Sequence, residues 1–183
     1  IMSSNKVLIT GSSSGLGNHL ALHFSKKGHE ILLHGRNEKE LIKIKNKINK
    51  NGSNAEYIVA DLSNNHELEL LCNKAKKENI KILINNAGIT CPGLPLKELS
   101  YKNIDFMIAV NLIAPIKIIN TLNKILDHVI NINSMVGLEA KKNRSIYASS
   151  KWGLRGFSES LKKEEILYKI LDVYPTNIKT WPE

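Results

Sequence analysis

The sequence predicts an α/β fold, a doubly wound parallel sheet, from two observations. Short apolar runs rich in β-branched residues alternate along the chain with longer helical patterns, and a glycine-rich turn follows the first run at once. Alternating strands and helices are joined by right-handed crossovers, which build a parallel sheet covered by helices on both faces. The expected strand order is 3-2-1-4-5-6, with a ligand at the carboxyl ends of the strands near the point where the order reverses.

The chain has 183 residues, which suits one domain with a full hydrophobic core. We expect residues 1–183 to form that single domain. Each strand is inferred from a short apolar run and each helix from amphipathic spacing. In chain order, the predicted strands are residues 6–10, 30–34, 55–60, 80–84, 128–133 and 170–174, and the predicted helices are residues 16–27, 38–50, 64–78, 100–126 and 148–165.

The first strand, turn and helix form the most explicit part of this pattern. Lys6–Thr10 is a short, apolar run typical of a buried strand, and the helical pattern after the turn closes at Gly28. In the turn, Gly11 permits a tight bend, Gly15 lets the backbone approach a pyrophosphate, and Gly17 allows close packing of helix on strand. Because the helix N-terminus adds N–H donors and a positive dipole end, the segment predicts a phosphate cradle. A flexible serine-rich turn is the alternative.

Two connections from helix to strand look too short. Leu122–Asp127 runs directly into His128–Ile132, and Lys163–Lys169 runs directly into Ile170–Tyr174. A reversal from helix to strand usually takes about 2–6 loop residues. We therefore expect either trimmed helices or missing residues at both points.

A tyrosine and a lysine four positions apart, Tyr147 and Lys151, suggest an acid/base device. On a helix this spacing puts both side chains on one face. A free tyrosine has a pKa of about 10, and an ammonium group beside it favours the phenolate and lowers that pKa. Taken alone, the pair is weak evidence, because a solvated helix carries Tyr and Lys at this spacing more often than an active site does.

Five motifs in one order resemble the short-chain dehydrogenase/reductase family. They are Thr10-Gly11-x-x-x-Gly15-x-Gly17, Asn85-Asn86-Ala87-Gly88, Asn111, Ser134 and Tyr147-x-x-x-Lys151, and the match runs from Val7 to about Thr180. The resemblance implies a Rossmann fold, a nicotinamide dinucleotide cofactor and oxidoreductase activity.

The resemblance also implies a catalytic set of Asn111, Ser134, Tyr147 and Lys151. Tyr147 would donate a proton to the forming alkoxide during carbonyl reduction and remove one during oxidation. Ser134 would hydrogen-bond the same oxygen. Lys151 would lower the pKa of Tyr147 and bind the nicotinamide ribose, and Asn111 would hold a water that relays protons. For Asn111 alone, a solvent-facing helix residue is the alternative.

The end of the second strand predicts the choice of cofactor. It carries Gly35 and Arg36 where an NAD-dependent protein would carry a carboxylate for the ribose hydroxyls. Since no acid repels a 2′-phosphate and Arg36 can grip one, the sequence predicts NADP, with NADPH preferred over NADH. An arginine in an ordinary surface turn is the alternative. Ser14 also stands where many NADP-preferring members of the family carry a second basic residue.

By resemblance, Asp61 should accept a hydrogen bond from the adenine amino group, although it could instead help to cap the next helix. The loop Tyr174–Thr180 resembles the family's loop over the nicotinamide, with Thr176 in place of the usual glycine. The expected cofactor contacts are Thr10, Gly11, Ser12, Ser14, Gly15, Leu16, Gly17, Arg36, Asp61, Leu62, Asn86, Ala87, Gly88, Tyr147, Lys151, Pro175, Ile178 and Thr180.

The family usually continues with a substrate-covering helical segment and a seventh strand, and we expect both to be absent here because the chain stops at Glu183. The net charge of +9 could indicate a nucleic-acid partner. The lysines are spread over predicted helix faces without an aromatic-interleaved basic stripe, so we expect no nucleic acid and a solvated surface that attracts an anionic cofactor.

No stretch approaches the ~18 apolar residues of a membrane span, and no secretory signal or metal-ligand set is recognisable. The two cysteines, Cys72 and Cys91, are too few for a disulfide framework and suit a reducing compartment. We therefore expect a cytoplasmic protein without a metal and without a membrane partner.

These observations predict a short-chain NADP(H)-dependent oxidoreductase that acts on a small-molecule carbonyl or alcohol. The alternative is a non-catalytic NADP-binding protein with a regulatory or structural role. Six apolar residues on the two longest helices also predict a homodimer or homotetramer, unless they serve only the core of one chain. These residues are Phe106, Val110, Ile113, Ile116, Trp152 and Phe157.

Overall fold

The computed structural model describes residues 5–90 and 93–176, and within them strands and helices alternate as predicted. The elements are β1 (Lys6–Ile9), α1 (Gly15–Lys26), β2 (Glu30–Gly35), α2 (Glu38–Lys50), β3 (Ala55–Val59), α3 (Asn65–Lys77), β4 (Ile82–Asn85), α4 (Tyr101–Ile108), α5 (Ala114–Leu122), β5 (His128–Ile132), α6 (Ser145–Leu161) and β6 (Lys169–Val173). A π turn at Ala109–Ile113 joins α4 to α5, and 3₁₀ turns lie at Leu96–Glu98 and Met135–Gly137.

The six strands form one parallel sheet in the order β3-β2-β1-β4-β5-β6. The central strand β1 pairs with β2 on one side and β4 on the other, so that Ile9 lies between Leu33 and Ile84. This arrangement confirms the predicted doubly wound fold and its Rossmann strand order. The order reverses between β1 and β4, where a crevice opens at the carboxyl ends of the strands.

Successive side chains on each strand point to opposite faces of the sheet, so they pack into two separate cores, one on each face. Val7 and Ile84 face the helices α1 and α2 and belong to one core. Leu8 and Leu83 face α3 and α5 and belong to the other core, which also contains Val129. Because both faces are covered, the strands consist of nearly continuous apolar residues, which explains why they were recognisable in the sequence.

The two connections that looked too short are longer than the apolar pattern suggested. Helix α5 ends at Leu122, and α6 runs from Ser145 to Leu161 rather than over 148–165. The loop residues Leu126 and Tyr168 are nevertheless buried, so they extend the apolar pattern beyond the helices that they follow. The helices are trimmed, and each reversal has a normal loop.

Within the described residues, one helical segment is long and apolar enough to cross a membrane by length and composition alone. It spans the 22 residues Tyr101–Leu122, with a mean hydropathy of 1.5. The prediction that no stretch is this apolar was therefore wrong. The segment is weak evidence for a membrane span, because its buried side packs in the core against α3 and α6, and a core helix passes the same test.

A buried row of polar side chains crosses three neighbouring strands beneath α6. Asn85, Asn131 and Asp172 are paired in register on β4, β5 and β6. The Asn85 amide donates to Asn131 at 2.8 Å, and the hydroxyl of Ser158 on α6 donates to the Asp172 carboxylate at 2.8 Å. Lys162 pairs with the same carboxylate at 3.1 Å. The row fixes the register of β6 and the distance of α6 from the sheet.

Candidate active site

The glycine-rich turn after β1 has backbone angles and contacts that leave no room for a side chain at its glycines. Gly11 and Gly15 have φ angles of +66° and +52°, where residues other than glycine are strained. A Cβ atom on Gly11 would lie 2.9 Å from the Cα of Ala87, and one on Gly17 would lie 2.3 Å from the carbonyl oxygen of Gly11. The turn therefore lies directly against the segment that follows β4.

Side chains on both sides hold this contact. The Thr10 hydroxyl accepts hydrogen bonds from the backbone amides of Asn86 and Ala87, both at 3.0 Å. The side-chain amide of Asn86 donates back to the carbonyl oxygens of Thr10 and Gly11, at 2.9 and 3.1 Å. Thr10 is buried, so it braces the turn instead of forming the wall of the cleft.

The N-terminus of α1 has the features of an anion site. Among the described residues, no side chain caps it at Ser14, and its first turn contains no acidic residue. Helices α2 and α3, in contrast, are capped by Asn37 and Asn64 and carry glutamates in their first turns. Free N–H donors and a positive dipole end favour a phosphate group. The chain thus fits the pyrophosphate of a dinucleotide at this point.

Ser12 was a predicted cofactor contact, but it does not line the cleft. Its side chain is fully buried, and its hydroxyl bonds with the backbone of His34 on β2, accepting from the amide at 2.9 Å. The neighbouring Ser13 lines the cleft instead, and its hydroxyl would lie 2.8 Å from a Cβ atom on Gly35. Ser13, not Ser12, therefore lines the cleft.

A cleft of about 410 Å³ opens over the turn at the reversal of strand order. Most of the predicted dinucleotide contacts line it, but the buried residues Thr10, Ser12 and Gly17 do not. The predicted contacts Tyr147, Lys151 and Pro175 are not among the lining residues either. The lining residues are Gly11, Ser13, Ser14, Gly15, Leu16, His34, Gly35, Arg36, Ala60, Asp61, Leu62, Asn86, Ala87, Gly88, Ile89, Thr90, Phe106 and Val110.

Arg36 lies at the β2 side of this cleft between a carboxylate and an aromatic ring. Its guanidinium is 3.9 Å from the Asp61 carboxylate and 5.8 Å from the centre of the Phe106 ring. Burial raises the pKa of Asp61, but the amide and hydroxyl of Ser63 and the charge of Arg36 outweigh burial, so that this pKa lies below its ordinary value. Asp61 is therefore an anion with one oxygen held by Ser63.

Lys151 and Asn111 lie together beside Gly88, which lines the cleft, although neither side chain is among the lining residues. A Cβ atom on Gly88 would lie 3.6 Å from Asn111 Oδ1 and 3.7 Å from Lys151 Nζ. Lys151 is buried, and its ammonium donates to the carbonyl oxygen of Ile132 at 3.0 Å. Burial lowers the pKa of Lys151 to about 8. The Nζ atom also lies 5.8 Å from the centre of the Tyr147 ring, so the predicted pair shares one face of α6.

Asn111 is buried inside the π turn rather than facing solvent. Its side chain accepts from the backbone amide of Ile89 at 2.8 Å and donates to the carbonyl oxygen of the same residue at 2.8 Å. It also donates to the Ser150 hydroxyl on α6 at 3.2 Å. Asn111 therefore joins the loop after β4 to α6 next to Lys151. π turns often occur at functional sites.

The remaining predicted residues lie partly within the described chain. Ser134 follows β5 and accepts a hydrogen bond from the amide of Val136 at 3.2 Å, and the carbonyl oxygen of Pro175 accepts from the amide of Met135 at 3.4 Å. Ser134 and Tyr147 are both partly exposed. The predicted contacts at Ile178 and Thr180 lie outside the described residues, as does Cys91.

Sequence reasoning missed several lining residues, among them Ser13, Ala60, Ile89, Thr90 and Phe106. Ser13 could have been found, because it lies inside the glycine-rich motif. Phe106 belongs to a helix far along the chain, and nothing in its local pattern separates a cleft residue from a core residue. His34, a buried residue of β2, also lines the cleft.

Comparisons with known proteins agree with this geometry. A family model described as short chain dehydrogenase matches residues 5–181. Nodulation protein G of Rhizobium sp. strain N33 is 33% identical over 170 residues, which cover 89% of this chain and 68% of that protein. The 3-oxoacyl-[acyl-carrier-protein] reductase of Rickettsia prowazekii is 33% identical over 162 residues, which cover 86% of this chain and 65% of that protein. This chain thus spans about two thirds of the length of both relatives.

A solved structure gives the same result. A metagenomic short-chain oxidoreductase in complex with NADP has a TM-score of 0.88 and 27% sequence identity. The superposition covers 97% of this chain and 84% of that chain.

Replacing Gly17 by alanine should destabilise the chain by about 1–3 kcal/mol or more, because the new methyl group would meet backbone rather than a flexible side chain. The measurement is the free energy of unfolding in urea. Gly156→Ala on α6 is the matched control, since a Cβ atom there meets nothing within 4 Å among the described residues. The control should gain about 0.5–1 kcal/mol. A Gly17→Ala protein as stable as the parent would contradict the packing described above.

Proposed function

Because the chain belongs to the short-chain dehydrogenase family, whose members are NAD(P)-dependent oxidoreductases, we propose that it is an NADP(H)-dependent enzyme. In this proposal it transfers a hydride between the nicotinamide and the carbon of a carbonyl or alcohol substrate, with Tyr147 as proton donor and acceptor. The substrate is a small molecule, and the enzyme works in the cytoplasm.

The observation that carries the proposal is the position of Lys151. Its ammonium is buried, bonded to the carbonyl oxygen of Ile132, and 5.8 Å from the centre of the Tyr147 ring. With a pKa of about 8, Lys151 remains largely protonated at pH 7. The buried ammonium and the Tyr147 ring thus share one face of α6, where the pair can act together on one substrate oxygen.

A bound nicotinamide would supply the hydride. During reduction, the Tyr147 hydroxyl gives its proton to the carbonyl oxygen of the substrate, and during oxidation the phenolate takes it back. Ser134 donates a hydrogen bond to the same oxygen and stabilises the negative charge that develops there. Lys151 would bind the cofactor ribose, since its ammonium lies beside Gly88, which lines the cleft. Asn111 keeps the loop after β4 and helix α6 at a fixed distance.

The preference for NADPH rests on Arg36. It stands at the β2 side of the cleft, directly after Gly35, and its side chain is 64% exposed. A 2′-phosphate there would gain a bidentate, charge-assisted contact. NADH offers no group that uses this cation.

The alternative, a non-catalytic NADP-binding protein, has less support. A binding protein has no need for a buried lysine beside a tyrosine. Buried lysines are costly, and their perturbed pKa values are typical of reactive sites.

Tyr147→Phe should lower kcat by about 10²–10⁴-fold, because only the proton donor is lost. The rate of NADPH oxidation should first be measured against a panel of ketones, quinones and β-keto thioesters, and the variant then tested on the substrate found. Its Kd for NADPH should stay within about threefold of the parent value. Tyr101→Phe, at a side chain that is 88% exposed, is the control and should leave kcat unchanged. Normal turnover by Tyr147→Phe would mean that the proton comes from another group.

Arg36→Ala should raise the Kd for NADPH by about 10–100-fold, since hydrogen bonds to charged groups contribute about 1.5–3 kcal/mol. The Kd for NADH should hardly change. Arg155→Ala removes the same charge from α6, where Arg155 pairs with Glu159 at 2.7 Å, and serves as the control for net charge. Equal affinity of the parent for both cofactors would refute the preference.

We also propose a homodimer or homotetramer, formed through a smaller surface than the sequence suggested. Val110 is buried and Phe106 lines the cleft, so neither belongs to it. Trp152 and Leu167, 47% and 89% exposed, remain available, and Leu167 borders an apolar groove between α5 and α6. Sedimentation equilibrium should show more than one chain per particle, and Leu167→Asp should weaken association, whereas Leu70→Asp on α3 should not. A single species near 20.5 kDa would exclude the dimer.

A further inference from the structure

His34 has an unusual set of partners for a buried strand residue. Its ring Nδ1 accepts a hydrogen bond from the backbone amide of Gly11 at 3.1 Å, and Nε2 lies 3.0 Å from the carbonyl oxygen of Ala60. Since the amide must donate and the carbonyl must accept, Nε2 carries the ring proton. One neutral tautomer satisfies both contacts.

The backbone of His34 is tied to the same turn. Its carbonyl oxygen accepts from the amide of Ser12 at 2.8 Å, and its amide donates to the Ser12 hydroxyl at 2.9 Å. The ring thus joins β2 to the glycine-rich turn on one side and to the segment after β3 on the other. Gly11, Ala60 and the neighbouring Asp61 all line the cleft.

We propose that His34 is a positioning residue for the dinucleotide, which sets the separation between the glycine-rich turn and the segment after β3 through its bonds to Gly11 and Ala60. The proposal rests on the proposed function, because it assumes that the cleft takes NADP(H). The adenosine half of the cofactor would lie between these two segments. His34 therefore acts on cofactor affinity and not on the hydride or proton transfer at Tyr147.

The neutral form of the ring is essential to this role. Burial lowers the pKa of His34 to about 4, and the charges of Asp61 and Arg36 act on it in opposite directions. A proton added at Nδ1 would point a second donor at the Gly11 amide. The ring therefore stays an acceptor at this contact under physiological conditions.

The test replaces His34 by leucine, which retains an apolar side chain but removes both contacts. The Gly11 amide then loses its acceptor and the turn is no longer tied to the segment after β3, which predicts a rise of about 10–100-fold in the Kd for NADPH. The Kd for 2′,5′-ADP, which contains only the adenosine half, should rise by the same factor. The kcat at saturating NADPH should stay within about twofold. His66→Leu, at an exposed histidine on α3, is the matched control.

Two conservative variants separate positioning from a general loss of packing. His34→Asn places an acceptor near the position of Nδ1 and should recover most of the affinity, whereas His34→Gln reaches towards Ala60 and should recover less. A folded His34→Leu protein that binds NADPH and 2′,5′-ADP as tightly as the parent would overturn the proposal. If His34→Leu does not fold, the other two variants decide, and equal or reversed affinities of Asn and Gln would overturn it.

Binding by the unaltered protein keeps the two proposals distinguishable. If the parent binds neither NADPH nor 2′,5′-ADP, the proposed function itself fails. If the parent binds both and the His34 variants match it, only the role of His34 is wrong.

Discussion

The close approach of the glycine-rich turn to the end of β4 is the contact on which the rest of the site depends. With hydrogen atoms as the side chains of Gly11 and Gly17, the turn can press against Ala87 and fold back on itself. This contact brings the N-terminus of α1 to the place where the strand order reverses. A phosphate site and the loop that carries Gly88 therefore open into one cleft, although they lie far apart in the sequence.

The same loop connects this cleft to the proposed catalytic residues. Asn111 forms hydrogen bonds with both backbone groups of Ile89 and with the hydroxyl of Ser150, the residue before Lys151. The π turn makes this possible, because one wider turn rotates Asn111 out of the regular helix face and into the core. The row of polar side chains under α6 holds the helix from the side of the sheet. The hydrogen bond from Ser158 to Asp172 fixes the distance between α6 and the sheet. Tyr147 and Lys151 are thus held by contacts on two sides.

The sequence predicted the strand order because strands and helices alternate along the whole chain. It predicted the glycine-rich turn and the Tyr147–Lys151 pair because five motifs occur together in one order. The sequence predictions failed where residues with different roles have the same sequence pattern. Ser12 and Ser13 are equivalent in the motif, and only the path of β2 decides which hydroxyl is buried. Phe106 and Val110 looked like an interface, but cleft, core and interface residues are all apolar on one helix face. The helix ends were missed because buried loop residues continued the apolar period.

The Arg36–Asp61 ion pair in the cleft explains how a phosphate group could be bound there, although the pair itself is weak. Arg36 and Asp61 are 3.9 Å apart and partly exposed, and such surface pairs contribute only about 0–1 kcal/mol. In the proposed function, little would therefore be lost if Arg36 turned from Asp61 to a 2′-phosphate. Asp61 does not become an unpaired charge, because Ser63 already holds one of its oxygens. The second oxygen is then free to accept from an adenine amino group, so one ion pair can serve two parts of the same cofactor.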